Sequence, residues 1–213
     1  MKNPRLLLAL LMAAGPVPAI AHPHVFADAR LEVVASADGN VQELRNVWRF
    51  DDMFSSSVLM DFDANTDLKL DKGELDEIGK TILESLGDYD YFTFINHDGK
   101  AVEIARPDAL HVDFQDNLLL VFFSVKPKTP LPLTGTLSFG VYDPTLYTAI
   151  DFTDDTRMVL EGDRFKSCQH KVVRPDPDEV IAQNQSMLTE AFFADPANND
   201  MGKLFATRLE VTC

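Results

Sequence analysis

The chain has 213 residues and a formal net charge of −15 at neutral pH, so its surface repels polyanions. Nucleic acid and anionic lipid are therefore disfavoured as partners. Beyond the first residues, no apolar run approaches the roughly 18 residues that a membrane-spanning helix needs. The length suits one sizeable hydrophobic core or two small ones.

The beginning of the chain has the composition of an export signal. Lys2 and Arg5 form a short positive region, residues 6–14 are apolar, and Ala19 and Ala21 place small side chains at a cleavage site. We predict a signal peptide at residues 1–21, cleaved after Ala21. The remaining residues 22–213 are then a periplasmic protein, which we expect to form a single domain.

Cleavage at this position would expose two histidines at the new amino terminus. His22 would carry a free α-amine, and His24 would add a second imidazole two residues later. Neutral imidazole is the commonest metal ligand in proteins, and an amine can join it. The pattern therefore predicts binding of zinc or nickel at this end. The alternative is a frayed polar terminus without a ligand.

Alternating apolar and polar residues predict a strand at 26–36, and Asp38-Gly39 indicates a hairpin turn into a second strand at 41–50. Helical spacing of apolar residues follows at 51–60 and 73–86, with an acidic loop between the two segments. We interpret residues 51–87 as an EF-hand-like helical insertion.

Strand patterns return from residue 91 onward and include a strongly apolar segment at 118–125. A helix is predicted at 179–193, and a last strand at 204–211. The predicted fold class is α+β, with a mostly antiparallel, sandwich-like β core, the helical insertion and a C-terminal helix.

The acidic loop fits the twelve-residue register of a calcium-binding loop. Oxygen-bearing side chains occupy its first, third, fifth, ninth and twelfth positions, and the seventh position, Lys69, would contribute its backbone carbonyl. Those side chains belong to Asp63, Asn65, Asp67, Asp71 and Glu74. The sixth position departs from the pattern, because Leu68 stands where glycine is expected. A non-glycine residue at positive φ costs about 1–2 kcal/mol, which weakens or abolishes binding. The alternative is an acidic connector that only caps the second helix.

Two cysteines remain after the predicted cleavage, Cys168 and Cys213. An even pair in an oxidising compartment predicts a disulfide. The alternative is that Cys168 and His170 bind a metal together, since residues two apart share one face of a strand. His111 lies beside Asp113 in a second such pattern, for which a hydrogen-bonded structural histidine is the favoured explanation. Two imidazoles alone do not complete a four-coordinate zinc site, so His111, His170 and Asp113 are the candidate further ligands of the amino-terminal site, and the sequence does not rank them. We found no nucleophile elbow and no phosphate-binding loop, so we do not expect an enzyme.

The chain resembles a family of bacterial periplasmic proteins of unknown function that are described as the periplasmic component of an uncharacterised ABC-type transport system. The resemblance rests on these segments: Ala21-His22-Pro23-His24-Val25-Phe26, Trp48-x-Phe50-Asp51-x-x-Phe54, the acidic loop, Tyr142-Asp143-Pro144-Thr145-x-Tyr147 and the closing Cys213. It implies an inner-membrane permease of the nickel/cobalt type as partner, and the handling of zinc or nickel.

Two functions are therefore considered. The first is an accessory protein that binds zinc or nickel and delivers it to, or senses it for, a membrane permease. The second is a calcium-stabilised module that binds a membrane partner without carrying a transition metal.

Overall fold

The computed structural model describes residues 23–185 and 202–213. The predicted signal peptide and His22 lie outside these ranges. Within them the chain forms twelve strands and four helices, which have the following bounds: β1 Val25–Ala35, β2 Val41–Phe50, α1 Asp52–Phe62, α2 Lys72–Ser85, β3 Thr93–His97, β4 Lys100–Val102, β5 Ile104–Ala105, β6 Leu110–Gln115, β7 Leu118–Pro127, β8 Thr136–Val141, β9 Thr148–Asp151, β10 Met158–Glu161, β11 Gln169–Val173, α3 Pro177–Asn184, α4 Gly202–Phe205 and β12 Arg208–Thr212.

Seven of the described strands form one sheet, in which the central run is β10-β1-β2-β7-β5. Strand β6 also pairs with β7, and β9 also pairs with β1. Most pairs are antiparallel, but β9 and β10 both run parallel to β1. They follow one another along it, because Val25 pairs with Thr148 and Leu31 pairs with Met158. This arrangement brings residues distant in sequence to the start of β1.

The other five strands form a second sheet in the order β11-β12-β8-β3-β4, and all its pairs are antiparallel. Inward residues of both sheets belong to one hydrophobic core, and Asn46 Nδ2 donates to Thr93 Oγ1 across it at 3.2 Å. Trp48 stacks on Phe92 there, with ring centroids 6.0 Å apart. The α+β fold class with mostly antiparallel sheets is therefore confirmed.

Helices α1 and α2 follow β2 and pack beside β6 and β7. Asp51 caps α1, and the buried Ser55 hydroxyl accepts a hydrogen bond from the Leu119 amide at 2.9 Å. Asp71 and Glu74 form a capping box that starts α2. No helix in the described ranges is long and apolar enough to cross a membrane.

The contact between α2 and β6 depends on Gly79. A Cβ atom at this position would lie 2.6 Å from the Leu110 carbonyl oxygen. We expect Gly79→Ala to lower the free energy of unfolding by about 2 kcal/mol, because the helix must shift away from the strand. Gly87→Ala is the matched control, since its Cβ would meet only the Tyr91 hydroxyl, at 3.6 Å. Urea unfolding of both variants measures the difference. Equal stabilities would contradict this close packing.

The last strand, β12, lies between β11 and β8, and Cys213 at its end is bonded to Cys168 just before β11. The predicted disulfide is thus confirmed.

Hydrogen bonds from Lys171 and then Arg208 hold the pKa of the Glu210 carboxyl on β12 below its ordinary value. The predicted helix at 179–193 overlaps α3, Pro177–Asn184, and residues 186–193 lie outside the described residues. A short helix, α4, precedes β12, so the last strand begins later than predicted.

Candidate functional site

The amino-terminal candidate site lies where β1 begins. The backbone amides of His24 and Val25 both donate to the Tyr147 carbonyl, at 2.8 and 3.2 Å. The His24 and Tyr147 rings are also in contact, with centroids 5.0 Å apart. His24 is exposed, and 50% of the Tyr147 surface is accessible. His24 is therefore held at a fixed place on the surface. His22 precedes the described residues.

A buried aspartate organises the turn that receives this terminus. Asp143 is 3% exposed, and its carboxylate accepts hydrogen bonds from the Thr145 amide and hydroxyl and from the Thr148 amide, at 2.7 to 2.9 Å. Gly202 packs against the same turn, because a Cβ there would lie 2.9 Å from the Asp143 carbonyl oxygen. The start of β1, this turn and α4 thus meet at one end of the molecule.

His111 lies far from this end. It pairs with Phe122, which pairs with Val47, which in turn pairs with Arg30 on β1. His111 is therefore three strands from His24 across the sheet, which is about 14 Å. It also lies six residues further along the strand direction, which is about 20 Å. Asp113 lies on the same strand, where its carboxylate accepts hydrogen bonds from the Phe114 amide and the Gln115 side chain.

His170 belongs to the second sheet and is also remote. It lines a surface pocket of about 360 Å³ together with Leu160 and Lys166. Leu160 pairs with Val33, nine residues beyond His24 on β1, which is a separation of about 30 Å. Cys168 is in the disulfide, so it is not a thiolate partner for His170. The structure thus does not bring His24, His111 and His170 into one site.

The residues that do approach His24 come from the turn at 142–147. In the sequence this segment carries part of the family resemblance, and it is not among the candidate site residues. Its signal was present in Tyr142-Asp143-Pro144-Thr145-x-Tyr147. What the sequence did not contain was the parallel pairing of β9 with β1, which places the turn beside the terminus.

The acidic loop joins α1 to α2, and its side chains bind its own backbone. The Asp63 carboxylate accepts hydrogen bonds from the amides of Asp67 and Leu68, at 3.2 and 2.8 Å. Glu74 closes the loop by accepting from the amides of Ala64 and Asp71, at 2.9 and 2.8 Å. The twelfth position is therefore held against the second and ninth positions of the loop.

The sixth position of the loop makes the turn that the register requires. Leu68 has φ of 61°, the left-handed conformation for which glycine is usual, and is 75% exposed. Between residues 23 and 185 and from 202 to 213, no group of three or more His, Cys, Asp or Glu side chains could hold a metal ion. A carboxylate can accept about four hydrogen bonds or metal contacts, so the loop's carboxylates keep acceptor capacity beyond their bonds to the backbone. Calcium binding in the loop requires them to direct these remaining lone pairs toward its centre.

Comparison with known proteins places the chain among proteins without an assigned role. The model of a family described as a protein of unknown function (DUF1007) matches residues 7–213. A Haemophilus influenzae protein named only as uncharacterized is 27% identical over 217 residues, which is the whole of both chains. An uncharacterized 15.5 kDa protein of Spirochaeta aurantia is 27% identical over 104 residues, covering 49% of this chain and 74% of its own.

Proposed function

This chain belongs to the DUF1007 family of proteins of unknown function, and from that premise we propose that it is an exported accessory protein rather than an enzyme. In this proposal the amino-terminal histidines bind a divalent transition metal, zinc or nickel. The protein then delivers the metal to an inner-membrane permease of the nickel/cobalt type, or senses the metal for it. The permease is suggested by the family resemblance of the motifs.

The observation that carries this proposal is the fixed, exposed position of His24. Its backbone amide is bonded to Tyr147 and its ring lies against the Tyr147 ring. A ligand held in this way loses little further freedom when it binds a metal. With cleavage after Ala21, the amine and imidazole of His22 would supply further nitrogen donors. Pro23 has no amide hydrogen, so a square-planar site that includes a deprotonated backbone nitrogen at this position is excluded.

A site with few protein donors suits delivery. A structural zinc site has four protein ligands and holds its metal, whereas an open site keeps a position for another ligand. His111 and His170 lie too far away to complete the coordination at His24. The missing ligands would then come from water, and from the partner during transfer. The disulfide between Cys168 and Cys213 fits an exported protein.

The test is calorimetry of zinc and nickel binding to protein that begins at His22, with no residue before it. His24→Ala should weaken affinity tenfold or more without loss of folding, since an imidazole donor is removed. Affinity should also fall below about pH 6, where imidazole protonation competes with the metal.

His111→Ala and His170→Ala are the matched controls, because each removes an exposed imidazole far from the terminus. Both should leave the affinity unchanged. If the double variant of His22 and His24 binds as tightly as the wild type, the terminal site is excluded.

A second candidate function is favoured by one specific observation. Leu68 adopts the positive φ of a calcium loop at its sixth position, and Asp63 bonds the amides of the fifth and sixth residues. Calcium bound by Asp63, Asn65, Asp67, Asp71, Glu74 and the Lys69 carbonyl would fix α1 relative to α2. The protein would then be a calcium-stabilised interaction module for a membrane partner.

A further inference from the structure

A second surface feature lies at the start of β1, on the outer face of the first sheet. It is a groove of about 470 Å³, which we call the Phe26 groove. Its walls include Phe26, Asp28, Asp51, Asp52, Leu118 and Asp151. Phe26 is 53% exposed although it is a large aromatic residue within a sheet. The groove thus places an exposed aromatic ring beside several carboxylates.

The walls of the groove are fixed by the local hydrogen bonding. The Asp51 carboxylate accepts the Phe26 amide with one oxygen and the Phe54 amide with the other, both at 2.8 Å. The same residue therefore caps α1 and holds the strand that carries Phe26. Since β1 alternates between the core and the surface, Val25 and Ala27 point inward and leave the Phe26 ring on the outer face.

The groove is strongly acidic. Four carboxylates line it, those of Asp28, Asp51, Asp52 and Asp151, against the single guanidinium of Arg49. Arg49 is already bonded to Asp28. Arg174 approaches Asp151 to 3.9 Å from outside, but it is also bonded to Asp155 and to the Phe152 carbonyl. The lining thus keeps a net negative charge, as does the whole chain at −15.

We propose that the Phe26 groove is a docking site for an arginine side chain on a partner protein. A guanidinium stacks on an aromatic face and donates several N–H groups to carboxylates, so it matches both components of the groove. The groove is far larger than a bare ion needs, and metal ions make no use of an aromatic wall. Charge opposes a second acidic copy of this chain, nucleic acid and anionic lipid. The inference depends on neither metal nor calcium binding.

The experiment is an NMR titration of the full-length mature protein with the peptide acetyl-Gly-Arg-Gly-amide. The control peptide carries citrulline, which has the shape of arginine without its charge. The arginine peptide should shift the amide signals of Phe26, Asp28 and Ala149 in a saturable way, and the citrulline peptide should not.

Three variants make the test specific. Asp52→Asn should weaken binding of the arginine peptide about threefold, as expected for one exposed ion pair. Phe26→Leu should weaken it to a similar extent, because leucine keeps the apolar contact and loses the ring face. Asp61→Asn removes the same charge from the same helix outside the groove and should have no effect. Equal shifts with both peptides, or equal losses in Asp52→Asn and Asp61→Asn, would overturn the proposal.

Discussion

Replacing both cysteines, Cys168→Ser with Cys213→Ser, should lower the free energy of unfolding by about 4 kcal/mol. The bond joins residues separated by 45 positions. Closing a loop of that size lowers the entropy of the unfolded chain, which raises its free energy by about this amount. In the folded state, the bond fastens the end of β12. That strand carries the fully buried Leu209 and Val211 between β11 and β8. The bond thereby holds the end of a strand that lies in the middle of the second sheet.

Urea unfolding with linear extrapolation measures this loss. Reduced wild-type protein should match the double variant, and the double variant should not respond to reductant. The second comparison separates the bond from any effect of the serines. A loss below about 1 kcal/mol would mean that the sheet alone retains β12, and that the chain-entropy argument fails here.

The parts of the fold that the sequence predicted are those determined by neighbouring residues. Alternation predicted a strand at 26–36, and the Asp38-Gly39 turn predicted a second strand at 41–50. The structure has β1 and β2 within one residue of these bounds. Helices α1 and α2 also lie where apolar spacing predicted them, since their caps at Asp51 and Asp71 are local features. The disulfide followed from having two cysteines to pair.

The candidate site was less predictable, because it depends on contacts between distant segments. The sequence could not rank the possible partners of His24, since nothing local to the terminus records that β9 runs parallel to β1. The pairing of Val25 with Thr148 determines that Tyr147 approaches His24. The same ladder places His111 three strands away. In the acidic loop the side-chain hydrogen bonds of Asp63, Asn65, Asp67 and Asp71 fall within twelve residues, so its local turn could be read from neighbouring residues, whereas calcium binding there stays a prediction.

The two proposals at the start of β1 concern adjacent surfaces. His24 and Phe26 are two residues apart and both exposed, so the strand presents them on the same side. A partner with an arginine in the Phe26 groove would therefore lie next to His24. If the partner is the permease, docking would place its metal ligands beside the proposed terminal site. Each proposal has its own variant, so one can fail while the other holds.

Calcium should raise the free energy of unfolding by about 2.7 kcal/mol when its concentration is a hundred times the dissociation constant, because the ion binds only the folded loop. Glu74→Gln should remove most of this gain, since the twelfth position supplies both oxygens to the ion. Glutamine keeps one carbonyl oxygen that can accept the Asp71 amide, so the capping box should persist, but its NH2 group cannot accept the Ala64 amide. The stability without calcium should therefore fall slightly, and the calcium response is measured against the variant's own value in chelator.

The measurement is thermal unfolding in calcium, in magnesium and in chelator, because the flexible oxygen ligands of such a loop favour calcium. Glu77→Gln is the matched control, since it removes the same charge from an exposed position of α2 outside the loop. It should keep the full response to calcium. A wild-type melting temperature that is the same in millimolar calcium and in chelator would leave Asp63, Asn65, Asp67 and Asp71 as a connector that caps its own backbone. The loop geometry would then no longer support the interaction-module function, whereas the proposal of metal binding at His24 would be unaffected.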